Sequence, residues 1–351
     1  MSFEDEIFTS IPNFKFKEIV KEKSECLAST FQFDCYKAKD GNTYLISPFW
    51  DIENADKPIH YISLINLETN KEYKRLEGHK DRVLTARYFK DRFNDKEYLL
   101  SVDRKCVMIV WDLSDNGKKI FEKEHKYESF TYSSIMMFEQ NKKYVVTSTL
   151  ASGETCVHDL DDPTKKEDIK DTKELNIYFL TYWWDDKNKD HNIIQCGKNK
   201  ILISQYHAKT NYSIQTDDKH PYNLAALVFK SKGKDLLITS ATYGLIKIID
   251  LQEKKEIRSF QFEDVFFYIF VKWNEQYLLL NDCLQRRILV LDIEDNYKIV
   301  SKVLCPEMYF DRFIRKVNHP KYGESILSVG LDWKVKLFVN RNITKNDEPE
   351  K

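Results

Sequence analysis

The sequence predicts an all-β protein: a single seven-bladed β-propeller with four-stranded antiparallel blades, closed by an N-terminal strand. Three observations predict it. A short signature recurs seven times along the 351 residues at nearly constant spacing. Each copy is preceded by an apolar run of strand length. Aromatic residues make up 14% of the chain, and rings suit the pleated surface of a sheet. With only 9 Gly and 8 Pro the chain is neither collagen-like nor linker-like, and a Gly-rich phosphate loop has little to be built from.

The signature is an alternating run closed by an acidic or amide residue and then an apolar one. Its copies are SLINLE (63–68), IVWDLS (109–114), CVHDLD (156–161), ISQYHA (203–208), KIIDLQ (247–252), LVLDIE (289–294) and KLFVNR (336–341). The position held by Trp111 recurs as Ile65, His158, Gln205, Ile249, Leu291 and Phe338, at intervals of 46, 47, 47, 44, 42 and 47. Upstream lies an apolar run closed by a small or polar residue, as in YLLS (98–101), YVVTS (144–148) and LLIT (236–239). Further upstream a run ends in an aromatic: RYF (87–89), MMF (136–138), YWW (182–184), LVF (227–229) and VKW (271–273). A more polar run follows the signature, as in KEYKRL (71–76) and KEIRSF (255–260). Four short strands per unit, with period-2 patterning and this repeat length, describe a propeller blade.

LEGH (76–79) followed by VWDL (110–113) resembles the WD40 repeat of transducin-β-like proteins. The resemblance extends over about 14–341. It implies a structural blade network of His79, Ser101, Trp111 and Asp112, with Asp332 in the last unit. The family's tight-turn Asp, six residues before the Trp, is Lys105 here, and Phe338 replaces the Trp of the last unit. The last unit holds only three strands, and an open sheet edge invites aggregation. The resemblance therefore implies closure by an N-terminal strand, for which 14–23 (FKFKEIVKEK) is the expectation. The domain reading is a tail over 1–13, one propeller over 14–341 and a second tail over 342–351.

Lys plus Arg is 55 and Asp plus Glu is 56, so no whole-chain field draws the protein to nucleic acid or to an anionic membrane. The longest apolar run, Val265–Val271, is far shorter than a membrane helix, and MSFEDEIF lacks the layout of a secretory signal. Seven scattered cysteines without a CxxC pair read as reduced thiols, so the expected location is cytoplasmic or nuclear.

No GxSxG, HExxH or GxxxxGK[ST] motif occurs, and the eight histidines show no zinc-ligand spacing. No catalytic residue, cofactor or metal site is expected. Trp183, at a position shared with Phe89, Phe138, Phe229 and Trp273, reads as core, and Trp184 as its outward neighbour. The mixed-charge run 159–174 reads as a solvated loop.

The function expected is a scaffold that binds protein or peptide partners within a multisubunit complex, without a membrane or a small-molecule substrate. In the WD40 architecture, the turns between second and third strands and the lead-ins to each first strand share one face. Binding residues concentrate on such loops. That face would carry Phe49, Trp50, Arg104, Lys105, Tyr127, Tyr222, Tyr243, Arg286, Arg312 and Trp333, types enriched at interface hot spots. A ribonucleoprotein subunit, resting on Arg104, Lys105, Arg286, Arg287 and Arg312, is the alternative. A hydrolase would have only Asp51 and Asp332 to work with.

Overall fold

The computed structural model describes residues 8–10, 24–26, 33–51, 59–125, 134–148, 152–172, 175–216, 219, 222–262, 267–282, 284–304, 313–329 and 335–340. The signature copies become the third strands of seven antiparallel sheets, the blades of a β-propeller. Two compact units hold them, one of 1–86 with 265–351 and the other of 87–264.

The first strand, β1 (Phe8–Ser10), belongs to the last sheet. The first sheet joins β2 (Ser24–Cys26) and β3 (Asp34–Lys37), both paired with β4 (Thr43–Asp51), to β5 (Ile59–Asn66) and β6 (Lys71–His79). The second holds β7 (Val83–Lys90), β8 (Glu97–Asp103), β9 (Val107–Asp112) and β10 (Lys118–Glu124). The third holds β11 (Ser134–Glu139), β12 (Lys142–Ser148), β13 (Thr155–Asp159) and β14 (Lys166–Asp168). The fourth holds β15 (Phe179–Asp185), β16 (Asp190–Cys196), β17 (Lys200–Gln205) and β18 (Thr210–Gln215). The fifth holds β19 (Asn223–Ser231), β20 (Lys234–Ala241), β21 (Leu245–Asp250) and β22 (Lys255–Gln261). The sixth holds β23 (Phe267–Lys272), β24 (Tyr277–Asp282), β25 (Arg287–Asp292) and β26 (Lys298–Leu304). The seventh holds β27 (Phe313–His319), β28 (Gly323–Val329) and β29 (Val335–Asn340).

An N-terminal strand does complete the last sheet: β1 pairs antiparallel with β29, Phe8 opposite Asn340 and Ser10 opposite Phe338. The expected segment, 14–23, is not the one in this register and lies outside the described residues. Phe8 supplies an aromatic, and Thr9 a β-branched residue, at strand positions where both are favoured.

Burial follows the order of strands within a sheet. In β8 and β9 every residue is buried, whereas β10 buries only Phe121 of seven. A sheet covered on both faces needs apolar residues on both, and successive side chains supply them. On β11, Met136 and Phe138 pack with Tyr98, Leu100 and Val110 of the second sheet. Ile135 and Met137 pack the other way, with Leu180 and Ile193 of the fourth. Trp183 joins Ile194, Ile203, Leu237 and Ile249 between the fourth and fifth sheets, the core role read from the sequence. In the other unit, the first, sixth and seventh sheets share one core around Leu45, Phe49, Ile65, Leu279, Val290, Ile326 and Leu337.

The acidic or amide residue that ends the signature has a local function. Asn66 Oδ1 accepts from the amides of Glu68 and Thr69, and Asp112 Oδ1 from that of Asp115. Asp159, Asp250 and Asp292 each accept two amides of the following turn at 2.8–3.2 Å. A short side-chain acceptor satisfies turn amides that the sheet cannot. The fourth sheet departs from this rule. Tyr206 stands at that position, and Asp190, at the start of β16, accepts from His207 and Ala208 instead, at 2.9 and 3.0 Å.

Cys35, Cys106, Cys156 and Cys196 are free thiols. Burial pushes Cys156 and Cys196 up to about 12, which keeps both unreactive at neutral pH. Among the described residues no helix is long and apolar enough to cross a membrane.

Candidate functional site

The blade network is built on ladder register. Leu99 lies opposite Trp111 and Ser101 opposite Ile109, which brings the serine under the indole. Trp111 Nε1 donates to Ser101 Oγ at 2.9 Å, and Ser101 Oγ donates to the Ile109 carbonyl at 3.3 Å. All of these groups are buried, so each bond satisfies a donor that water cannot reach. The third sheet repeats the arrangement with smaller parts. His158 holds the Trp111 position, and its Nε2 lies 3.5 Å from Thr147 Oγ1. His79 is buried at the end of β6, opposite His60 in the ladder. Asp332 lies outside the described residues.

With Lys105 at the family's tight-turn Asp position, Asp103 serves the turn instead. Its buried carboxylate accepts from the amides of Lys105 and Val107, both at 2.9 Å, and lets Cys106 take a left-handed φ of 60°. Asp282 does the same in the sixth sheet, accepting from the Gln285 amide and from Arg287 Nε at 2.8 Å. Burial pushes the Asp282 carboxyl up, against the pull of Arg287.

The expected interaction residues divide. Arg104, Lys105 and Arg286 are exposed at tips of turns between second and third strands. Tyr243 is 60% exposed at the equivalent tip, with φ 60°. Tyr222 is half-buried, bridges to Lys198 and meets Tyr178 edge-on at 5.1 Å. That bridge brings a lead-in to a first strand beside a turn between second and third strands. Phe49 and Trp50 do not lie in a turn. β4 runs on to Asp51 and carries both in the ladder, opposite Tyr61 and His60. Phe49 is only 3% exposed and stacks on Tyr61 at 5.8 Å, so it is core and is withdrawn from the interaction face. Asp51 is held in the same strand, opposite Ile59. Tyr127, Arg312 and Trp333 lie outside the described residues.

Two features absent from the sequence reading lie at the opposite strand ends, in the unit 87–264. The first is a cleft of about 290 Å³ lined by Arg87, Phe89, Lys90, Arg92, Ile135, Met136, Phe138, Thr181 and Tyr182. Its floor is the aromatic and apolar ends of β7, β11 and β15, and three cationic side chains stand around it. Arg87 donates to the Ser134 carbonyl at 3.1 Å, and the Arg92 guanidinium stacks 3.9 Å over the Trp184 ring. Trp184 is thus half-buried rather than outward-facing, and donates to Asp186 at 3.0 Å.

The second feature adjoins the first through Tyr182, whose hydroxyl bonds His191 Nδ1 at 2.9 Å. His191 is buried, and its Nε2 faces Glu139 Oε1 at 3.6 Å. His207 Nε2 approaches the same oxygen at 2.9 Å. Burial first, then His207 and Arg92, hold His191 down at about 4, so its ring is neutral at physiological pH. The sequence signal for the cleft is Arg87 beside the aromatic run. The His–Glu cluster leaves no such signal, because its members stand far apart in the chain.

No protein-family model matches the sequence, and no curated protein matches it. The fold, by contrast, has solved neighbours. The chain is similar to the β-propeller domain of Cps50 (Swd1) from Myceliophteria thermophila, with a TM-score of 0.63 at 13% identity, covering 95% of this chain and 99% of that one. It is similar to the C-terminal WD40 domain of Sif2, with a TM-score of 0.60 at 12% identity and the same coverage.

Proposed function

We propose that this chain, with the seven-bladed β-propeller fold of WD40 type, is a non-catalytic scaffold that captures a segment of a protein partner. The cleft lined by the ends of β7, β11 and β15 carries this reading. Its volume, about 290 Å³, stands at the lower end of the range for small-molecule pockets and suits one or two side chains of a peptide. Phe89, beside the edge of β11 that lines the cleft, would take an apolar anchor. Arg87, Lys90 and Arg92 would hold acidic residues beside it. The partner that fits is an extended segment with an apolar side chain flanked by Asp or Glu. Neither a catalytic group nor a cofactor is needed for such capture.

A second reading rests on the other strand ends of the unit 87–264, where Arg104, Lys105 and Tyr243 stand exposed at turn tips. Tyr243 there has the exposure and residue type of an interface anchor.

Peptide-library selection on the full chain distinguishes the two. Selected sequences should be acidic and apolar, and the double charge reversal Lys90→Glu with Arg92→Glu should weaken them more than tenfold, which is about 1.4 kcal/mol. If that variant binds as wild type does and Arg104→Glu with Tyr243→Ala loses the peptide, the partner sits at the turn tips.

A further inference from the structure

We propose that Glu139, His191 and His207 form a binding site for a zinc-class divalent cation that ties the third sheet to the fourth. This inference does not rest on peptide capture.

The three donor atoms, one from each residue, all lie within 4.8 Å of one another. Glu139 ends β11, His191 is the second residue of β16, and His207 stands in the turn after β17. Tetrahedral zinc with ligands at about 2.0–2.1 Å places its donors about 3.3 Å apart. The observed separations from Glu139 Oε1, 3.6 Å to His191 Nε2 and 2.9 Å to His207 Nε2, bracket that value. Small side-chain rotations close the site without moving a strand.

The decisive observation is a missing bond. His191 is 0% exposed in its side chain, and its buried Nε2 has no hydrogen-bond partner. Glu139 Oε1 stands between the two rings, 2.9 Å from His207 Nε2 and 3.6 Å from His191 Nε2. A buried polar atom left unpaired costs about 1–3 kcal/mol, and His191 Nε2 bears that cost while it faces a carboxylate oxygen 3.6 Å away. A cation held by all three groups would give that nitrogen its partner.

The surroundings match what metal ligands require. The far nitrogen of His191, Nδ1, is held by the Tyr182 hydroxyl at 2.9 Å. With the tyrosine oxygen accepting from Nδ1–H, the lone pair of Nε2 points at the glutamate. The second oxygen of Glu139 accepts from the Tyr144 hydroxyl at 3.3 Å. Hydrogen bonds of this kind orient ligands and fix the tautomer. Two imidazoles and one carboxylate form a borderline donor set that suits Zn²⁺, whereas Ca²⁺ and Mg²⁺ take oxygen donors. The His207 side chain is 48% exposed, which leaves a solvent-facing fourth position.

The test uses the full chain, metal-stripped and then titrated at neutral pH with Zn²⁺, and separately with Co²⁺. Expected are one ion per chain, the visible absorption of tetrahedral Co²⁺, and a Tm that rises with Zn²⁺ and falls on chelation. His207→Ala and Glu139→Gln alter partly exposed side chains and should fold. Each should weaken Zn²⁺ at least tenfold and abolish the Tm response. Tyr182→Phe should weaken binding less while keeping the Co²⁺ spectrum. If wild type takes up no Zn²⁺, the cluster is a plain histidine–glutamate ion pair and the proposal fails. It fails equally if both variants keep wild-type affinity, which would put the ion elsewhere.

Discussion

The second and fourth sheets follow one plan and diverge at a single strand end. In the second, Trp111 and Asp112 close β9, the indole bonded to Ser101 and the carboxylate to the turn. In the fourth, Gln205 and Tyr206 stand at those positions, and Asp190 reaches across from β16 to accept the turn amides. The backbone requires an acceptor at that turn but does not dictate which residue provides it. Beside Asp190, His191 and His207 stand around Glu139. The third sheet stands between the two, with the network retained but His158 in place of the tryptophan.

The harshest test of this comparison removes the ring at the Trp111 position. Trp111→Ala deletes a fully packed side chain and strands Ser101, and should cost about 3–5 kcal/mol in urea unfolding. Trp184→Ala, in the fourth sheet, removes a half-exposed ring and should cost clearly less. Equal losses would mean that the two sheets do not differ in the way described.

The His158 ring makes the same position sensitive to pH. Burial, with His125 and Lys123 nearby, lowers His158 from 6.5 to about 4. Above pH 6.5 the ring is neutral whether the chain is folded or not, and it contributes nothing to pH dependence. As pH falls from 6.5 toward 4, the unfolded chain takes up a proton that the folded chain refuses, so stability falls. At about 1.4 kcal/mol per pKa unit, the share of His158 reaches at most about 3 kcal/mol by the acid end of that window. The urea midpoint of wild type should drop through the window, and that of His158→Gln should drop less steeply. Parallel curves would remove His158 from the account.

Much of this was legible in the sequence because it repeats. Spacing fixed seven third strands, and the acidic or amide closure marked turns whose amides need an acceptor. Trp183 was readable as core from its alignment with Phe138 and Phe229. The loss of the family's aspartate at Lys105 was visible, but its replacement was not: Asp103 serves the turn from two residues earlier, and a side-chain acceptor can serve a turn from more than one position. Phe49 and Trp50 misled because β4 continues for nine residues, beyond the length of most strands here, and carries them into the ladder. The closing strand was anticipated in kind, whereas Phe8–Ser10 is too short to show a pattern. Glu139, His191 and His207 were invisible, since three strand ends from two sheets meet there without any local spacing.

The finest comparison sets Asp190 against Asp250. Asp250 accepts both turn amides through Oδ1, and its Oδ2 meets only the half-exposed Lys234 at 2.8 Å. Asp250→Asn keeps the oxygen that serves the turn and loses one ion pair between a buried carboxylate and a half-exposed lysine that can turn to solvent, for a cost of about 1 kcal/mol. Asp190 uses both oxygens on amides, Oδ1 for His191 and His207 and Oδ2 for Ala208. Asp190→Asn turns one of those oxygens into an NH₂ that faces an N–H donor. That leaves the NH₂ of a buried side chain without an acceptor and should cost about 1–3 kcal/mol. Guanidinium midpoints of the two variants should therefore separate, with Asp190→Asn the less stable. Matching midpoints would show that the Asp190 turn is no more demanding than the ordinary one, and the fourth sheet would lose its claim to a distinct way of closing.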